Sequence, residues 1–139
     1  MPLLVFDVVE GRSDEEIKEL LDATHEVVVE SFNVPQRDRY QIVHENKATR
    51  MVIQDTGLGF TRTEDMVVLR VFTSPRTVEE KERFMKSLCE KLKERCGLQE
   101  TDLMISFFAN ERGDWSFAEG VAQYTTGELG AKGSNVTLN

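Results

Sequence analysis

Hydrophobic positions along this chain change period twice and then start over. Leu3 to Val8 is a short apolar run rich in β-branched residues, the mark of a strand. Ser13 followed three residues later by Glu16 is a capping box, in which side chains satisfy the free amides at a helix start. Ile17, Leu20, Leu21, Thr24, Val27 and Val28 then recur at helical spacing, and Pro35 closes that helix. Arg39 to His44 is the next strand. The same order returns downstream. Met66 to Thr73 is a strand, and Thr77 with Glu80 is a second capping box. Phe84, Leu88, Leu92 and Cys96 fall on or near one helical stripe, ended by Gly97. Leu103 to Ala109 is the last strand.

The two halves align at an offset of 64 residues. Gly11-Arg12-Ser13-Asp14-Glu15-Glu16 matches Pro75-Arg76-Thr77-Val78-Glu79-Glu80, and Leu3 to Val8 matches Val67 to Phe72. Asn33-Val34 matches Gly97-Leu98, and Asp38 matches Asp102. Ordered matches at one offset identify an internal duplication, with copies at 2–45 and 66–109 inside a single domain of residues 2–129. Residues 130–139, with Gly130, Gly133 and Ser134, read as a flexible tail. Each copy is a β-α-β unit with a right-handed connection. The pattern therefore predicts an α+β, two-layer fold: one four-stranded mixed sheet with both helices on one face. Apolar residues on both faces of the strands leave the other face in need of cover, and self-association in a closed ring supplies it.

With 40% hydrophobic and 30% charged residues in a chain of 139, the composition is that of a soluble globular domain. The net charge of -8 argues against a nucleic-acid partner, which would require basic surface to neutralise phosphates. No secretory signal or membrane-length apolar stretch is present in the sequence. Cys89 and Cys96 lie seven apart in one helix, too far to bridge, and read as free thiols in a reducing, cytoplasmic setting. His44 has no Cys or second His at ligand spacing, so no metal site is expected, and His25 reads as surface or edge packing.

Candidate chemistry starts at the N-terminus. If Met1 is removed, Pro2 becomes a secondary amine at the end of an apolar segment. A terminal amine has a reference pKa of about 8, and burial or nearby cations lower it. Such a group is a general acid or base without a His, a triad or a metal. While Met1 remains, the Pro2 nitrogen is an amide and has no proton chemistry. Asp55-Thr56-Gly57-Leu58-Gly59 reads as a tight turn. It is not a dinucleotide loop, because no third glycine and no helix follow. Trp115, Phe117 and Tyr124 either wall an apolar pocket or pack between subunits. Asp38 either belongs to a site or merely opens a strand. Arg76 either binds an anion or is the surface counterpart of Arg12. Arg39 and Arg62 are candidates for salt bridges between subunits.

Several of these residues together resemble the tautomerase superfamily. They are the proline after Met1, the two fused units, Asp38-Arg39-Tyr40, the run Asp55 to Phe60 with Arg62-Thr63, Arg76, Asp114-Trp115-Ser116-Phe117 and Thr126-Gly127-Glu128-Leu129. They are most similar to its malonate semialdehyde decarboxylase group, over about residues 2 to 129. The resemblance implies a homotrimer with no cofactor. It implies Pro2 as the catalytic residue, held as a cation, with Asp38 setting the proline or a water. Arg76 would grip the carboxylate of a small substrate, and Trp115, Phe117, Tyr124 and Leu129 would form an apolar wall. One departure stands out. The family's best-known decarboxylase carries an Arg-Pro-Arg run where this chain has Ser74-Pro75-Arg76. The implied activity is decarboxylation of malonate semialdehyde or a similar 3-oxo acid, with tautomerase or hydratase side activity. The alternatives are a keto–enol tautomerase acting on a 2-oxo acid such as phenylpyruvate, and a non-enzymatic trimer with a vestigial proline.

Overall fold

A computed structural model describes residues 1–127 and 129. The tail expected at 130–139 lies outside the described residues. Strand β1 (Leu3–Val9) leads into helix α1 (Asp14–Phe32) and strand β2 (Tyr40–Asn46). After an irregular segment come β3 (Val67–Thr73), α2 (Val78–Cys96), β4 (Leu103–Ala109) and a single-turn α3 (Gln123–Thr126). The sheet order is β2-β1-β3-β4. Within each unit the strands are parallel, and the units join through antiparallel β1 and β3. This is the mixed four-stranded sheet expected. β1 runs one residue longer than expected, to Val9. β2 is displaced to Tyr40–Asn46 because the backbone at Asp38 is still in a turn, its amide donating to Pro35 O at 3.0 Å.

The duplicated motifs do the same local work twice. Glu16 N donates to Ser13 Oγ at 3.1 Å, and Glu80 N to Thr77 Oγ1 at 3.1 Å. Ser13 N donates to Glu16 Oε1 at 2.9 Å, and Thr77 N to Glu80 Oε1 at 3.0 Å. Each cap is worth about 1 kcal/mol. Asn33 and Gly97 both end their helices in the left-handed conformation, at φ 51° and 66°. Val34 and Leu98, which follow them, are both buried in the core.

Alternation along the strands decides which side chains meet the helices. Leu4, Phe6 and Val8 of β1 and Val67, Leu69 and Val71 of β3 point into a core shared with Leu20, Val27, Val28, Phe32, Phe84, Leu88 and Leu92. Phe32 of α1 stacks on Phe84 of α2, ring centres 5.1 Å apart, and Phe107 of β4 meets both rings edge-on. Full burial of each such side chain contributes about 1.5–3 kcal/mol. Cys96 departs from the expected stripe and is exposed. Four-residue steps overshoot a helical turn by about 40° each, so three steps carry it about 120° away from Phe84. His25, read as surface or edge packing, is buried, so the surface alternative fails. Arg39 and Arg62 have partners within their own chain. Arg39 bonds Asp22 and Gln41, and Arg62 bonds Gln54 O and Thr101 O.

Among the described residues, the opposite sheet face is only partly covered. Tyr40, Ile42, Met104 and Phe108 are each 40–46% exposed on it. Phe72 stacks on Phe108 at 4.9 Å. At its centre Asp7 pairs with Arg70 at 2.6 Å and lies 3.5 Å from His44. Among the described residues, no helix is long and apolar enough to cross a membrane.

The segment between the units is pinned, not loose. Asp55 accepts the amides of Gly57 and Gly59 at 3.1 and 2.8 Å, and both glycines have positive φ. Further on, Thr63 N and Thr63 Oγ1 donate to the two oxygens of buried Asp102 at 2.7 and 2.6 Å. Asp102→Ala leaves these donors without an acceptor. It should cost about 1–3 kcal/mol in denaturant unfolding and speed exchange of the Thr63 amide. An unchanged midpoint would show that Asp102 does not pin the segment.

Candidate active site

The antiparallel pairing of β1 with β3 sets the start of one beside the end of the other: Leu3 lies opposite Phe72. Parallel pairing sets Leu3 beside Tyr40 on the other flank. The N-terminus, the turn before β2 and the turn after β3 therefore converge at one end of the sheet. Asparagine 110 bonds Thr73 O through its amide at 2.8 Å, so the chain leaving β4 starts from the same place.

Both Met1 and Pro2 are buried there. The terminal amine, which Met1 carries in this molecule, stands 4.0 Å from Asp38 Oδ2. Burial and the charge of Arg76 lower its pKa to about 6, against the opposing pull of Asp38. Asp38 is buried, and neither carboxylate oxygen has a hydrogen-bond partner among the described residues. Burial holds its pKa above the usual carboxylate range, while the terminal amine, Arg76 and His25 pull it down.

Arg76 sits just before the cap of α2. Its Nε donates to Thr73 Oγ1 at 3.2 Å, and its guanidinium lies 4.7 Å above the centre of the Phe32 ring. Nη1 and Nη2 are buried without a hydrogen-bond partner among the described residues. Burial lowers its pKa, opposed by Glu80, Tyr124 and Asp38. A planar cation held through Nε, with Nη1 and Nη2 unbonded among the described residues, has the geometry of a two-pronged donor for an anion such as a carboxylate. The surface reading of Arg76 therefore fails. Its repeat counterpart Arg12 instead donates to Asp65 O at 2.6 Å.

The aromatic residues form one chain of rings. Trp115 stacks on Phe117 at 5.6 Å, Phe117 on Tyr40 at 5.8 Å, and Tyr124 meets Phe117 edge-on at 5.5 Å. Trp115 is anchored by Nε1 to Asn110 Oδ1 at 2.9 Å. Burial, and then the charge of Asp38, push the Tyr124 phenol up to about 12, so it is a neutral hydroxyl within reach of the Asp38 and Arg76 fields. Arg112 lies 5.7 Å from the centre of the Tyr124 ring. Leu129 is half-buried past α3, its amide bonded to Gln123 O at 3.4 Å.

The structure thus brings the N-terminus, Asp38, Arg76 and Tyr124 together and joins Trp115 and Phe117 to them through the rings. It does not tie Leu129 to the charged groups. Ser74, which replaces the expected first arginine, is buried and brings no cation. Four supporting residues had gone without a role in the sequence. Tyr40 was visible only as part of the Asp38-Arg39-Tyr40 run. Phe32, Thr73 and His25 lie in core-like positions, and only tertiary packing reveals what they touch.

The chain matches a family model described as tautomerase enzyme over residues 38–118, and a second of the same description over residues 2–61. It is 53% identical over 129 residues to the probable tautomerase YrdN of Bacillus subtilis (strain 168), covering 93% of this chain and all of that one. Its fold superposes on a malonate semialdehyde decarboxylase, characterised for decarboxylase and hydratase activities, with TM-score 0.89 and 43% identity. That match covers 91% of this chain and 98% of the other. A second, FG41 malonate semialdehyde decarboxylase inhibited by 3-bromopropiolate, gives TM-score 0.87 and 38% identity over 91% and 97% of the two chains. A fused 4-OT, solved as a symmetric trimer, shares the fold with TM-score 0.73 at 22% identity, over 90% and 98%.

The opposed fields at the terminal amine define an experiment. Asp38 raises the amine's pKa and Arg76 lowers it, so Asp38→Asn should move it below about 6 and Arg76→Ala should move it up toward the ordinary value. Titration of the 15N-labelled amine by NMR reads both shifts. Equal values in all three proteins would show that the amine does not sense these side chains.

Proposed function

This chain belongs to the tautomerase superfamily, in its malonate semialdehyde decarboxylase-like group, and we propose that it is a cofactor-free decarboxylase of a small 3-oxo acid such as malonate semialdehyde. The observation that carries this reading is the free, buried fork of Arg76 in the same group as the terminal amine and Asp38. With Met1 removed, the amine belongs to Pro2, the residue immediately before β1.

The chemistry follows from charge. Arg76 holds the substrate carboxylate by two hydrogen bonds, and the amine cation faces the carbonyl oxygen at the other end. Breaking the bond between the carboxylate and the adjacent carbon releases carbon dioxide and leaves the electron pair as an enolate. A cation already in place stabilises that charge, which is the large term in catalysis of this type. The amine proton then goes to carbon, giving acetaldehyde from malonate semialdehyde. A second route condenses neutral Pro2 with the aldehyde to an iminium, the charged imine of a secondary amine, the carbonyl oxygen leaving as water; the iminium takes up the electron pair as carbon dioxide departs, and protonation and hydrolysis release acetaldehyde and Pro2. Asp38 keeps the amine's pKa from falling further, and Trp115, Phe117 and Tyr124 exclude water.

Keto–enol tautomerisation of a 2-oxo acid such as phenylpyruvate is the second reading. It is favoured by the similarity to the probable tautomerase YrdN and by the burial and the Arg76 charge at this end of the sheet, which lower the pKa of a terminal amine, since a neutral amine is the base that reaction requires. The two reactions separate by pH. Electrostatic decarboxylation falls as pH rises through the amine's pKa, because the cation is lost. Tautomerisation rises over the same interval. Decarboxylation that persists above it marks the imine route.

The deciding experiment incubates Met1-free protein with each oxo acid and follows products by proton NMR across that pH range. Acetaldehyde formation that drops about 10²-fold or more in Pro2→Ala supports the proposal. Enol turnover without carbon dioxide release transfers the assignment to the second reading. Arg76→Ala should abolish turnover or raise KM, and Arg76→Lys should rescue only partly because a point charge lacks the fork.

The assembly proposed is a homotrimer closed over the open sheet face. Among the described residues, Ile42, Met104 and Phe108 stay 42–46% exposed on this face, with Phe72 stacked against Phe108. Sedimentation equilibrium at micromolar concentration should give three times the mass of 15.9 kDa, and a monomer mass would exclude it.

A further inference from the structure

Both copies of the duplicated unit carry an aspartate at the same place in the same turn. Asp38 N donates to Pro35 O at 3.0 Å, and Asp102 N donates to Gln99 O at 3.0 Å, 64 residues further on. Both side chains are buried. What secures each turn differs. The Asp102 carboxylate is consumed by Thr63, which bonds both of its oxygens. The Asp38 carboxylate has no such partner among the described residues, yet its turn must be held just as firmly if the carboxylate is to stay beside the terminal amine.

His25 meets this need from behind. It lies in α1, only 5% exposed, with Nε2 2.8 Å from Gln36 O, inside the turn. A carbonyl only accepts, so Nε2 carries the hydrogen and donates it. At the equivalent position of the second unit stands Cys89, with no hydrogen bond to its turn among the described residues. The unit that holds its turn through a backbone carbonyl keeps its carboxylate free, and the unit that lacks the histidine spends its carboxylate on the structure.

We propose that His25 is the positioning residue of this site: by fastening the Gln36 carbonyl it fixes the turn that sets Asp38 against the terminal amine. It touches no reacting atom and acts through Asp38. The role rests on the reading of the terminal amine and Asp38 as one functional group, and it is independent of which oxo acid is turned over.

The test compares the parent with His25→Leu and His25→Gln, each alone and combined with Asp38→Asn. The first readout is the NMR titration of the 15N-labelled terminal amine, which requires no substrate. In His25→Leu the amine's pKa should fall toward that of Asp38→Asn, because the carboxylate that raises it has moved away. Gln, whose amide N–H reaches the carbonyl, should restore it. In the Asp38→Asn background His25→Leu should add nothing. Turnover of the oxo acid should fall about tenfold to a hundredfold in His25→Leu. The loss should lie in kcat more than in KM, since Arg76 binds substrate separately. A folded His25→Leu with the parent's amine pKa would overturn the proposal, as would an equal shift in the Asp38→Asn background. If the leucine variant does not fold, the unsubstituted protein decides: imidazole 15N shifts must show the hydrogen on Nε2, and a bare Nε2 overturns the proposal. A chain that decarboxylates and tautomerises nothing, yet shows this pattern of amine pKa values, keeps His25 in this role and loses only the proposed reaction.

Discussion

The antiparallel ladder between β1 and β3 is the constraint on which the rest depends. Each β-α-β unit alone has two strands and one helix, too little to enclose a core. Pairing their first strands makes one sheet, and it lets Phe32 and Phe84 from different copies stack over it. The same ladder sets the direction of everything at the sheet's ends. Because β1 and β3 run oppositely, the chain's N-terminus meets the turn that carries Arg76. Had the strands paired in parallel, the amine and the guanidinium would stand at opposite ends of the sheet.

Duplication gives the sheet two such ends, and they have diverged in how they satisfy their polar groups. At the far end, Asp102 is bonded by Thr63 and Arg12 by Asp65 O, both through the segment that links the units. At that end the duplicated aspartate and arginine both have hydrogen-bond partners. At the near end Asp38 and the Arg76 fork keep their hydrogen-bonding capacity unused. Buried polar groups without partners are costly, about 1–3 kcal/mol each. A fold that keeps several of them together, beside an amine of lowered pKa, carries a local loss of stability that packing elsewhere offsets. The Phe32 ring beneath Arg76 and the Thr73 hydroxyl beside it hold the cation in place without occupying its two outward donors.

The open sheet face has a related logic. Its rim is apolar, but Asp7, Arg70 and His44 occupy the centre. In the described chain the Arg70 hydrogen bond, with help from Asn46, draws the Asp7 carboxyl below its ordinary range against the opposing effect of burial. The face therefore combines exposed apolar area with a charged cluster at its centre.

Much of the architecture was determined by the sequence alone. Capping boxes, helical spacing and strand runs depend on neighbours within about four residues, so Ser13 to Glu16, Thr77 to Glu80 and Leu103 to Ala109 could be read directly. The repeat, together with the rule that sheets bury a face, led to the four-stranded topology. Resemblance then pointed to Asp38 and Arg76. What only the tertiary structure decided was which member of each duplicated pair remains free. Asp38 and Asp102 occupy equivalent turns, and Arg12 and Arg76 equivalent helix starts. Whether a carboxylate or guanidinium is satisfied depends on partners 39 or 53 residues away, such as Thr63 and Asp65. The same holds for His25, whose sequence neighbourhood suggests surface or edge packing and whose bond to Gln36 O exists only because α1 folds back against the turn that follows it. Local pattern is written in spacing along the chain, while hydrogen-bond satisfaction is settled by the contacts that folding brings together.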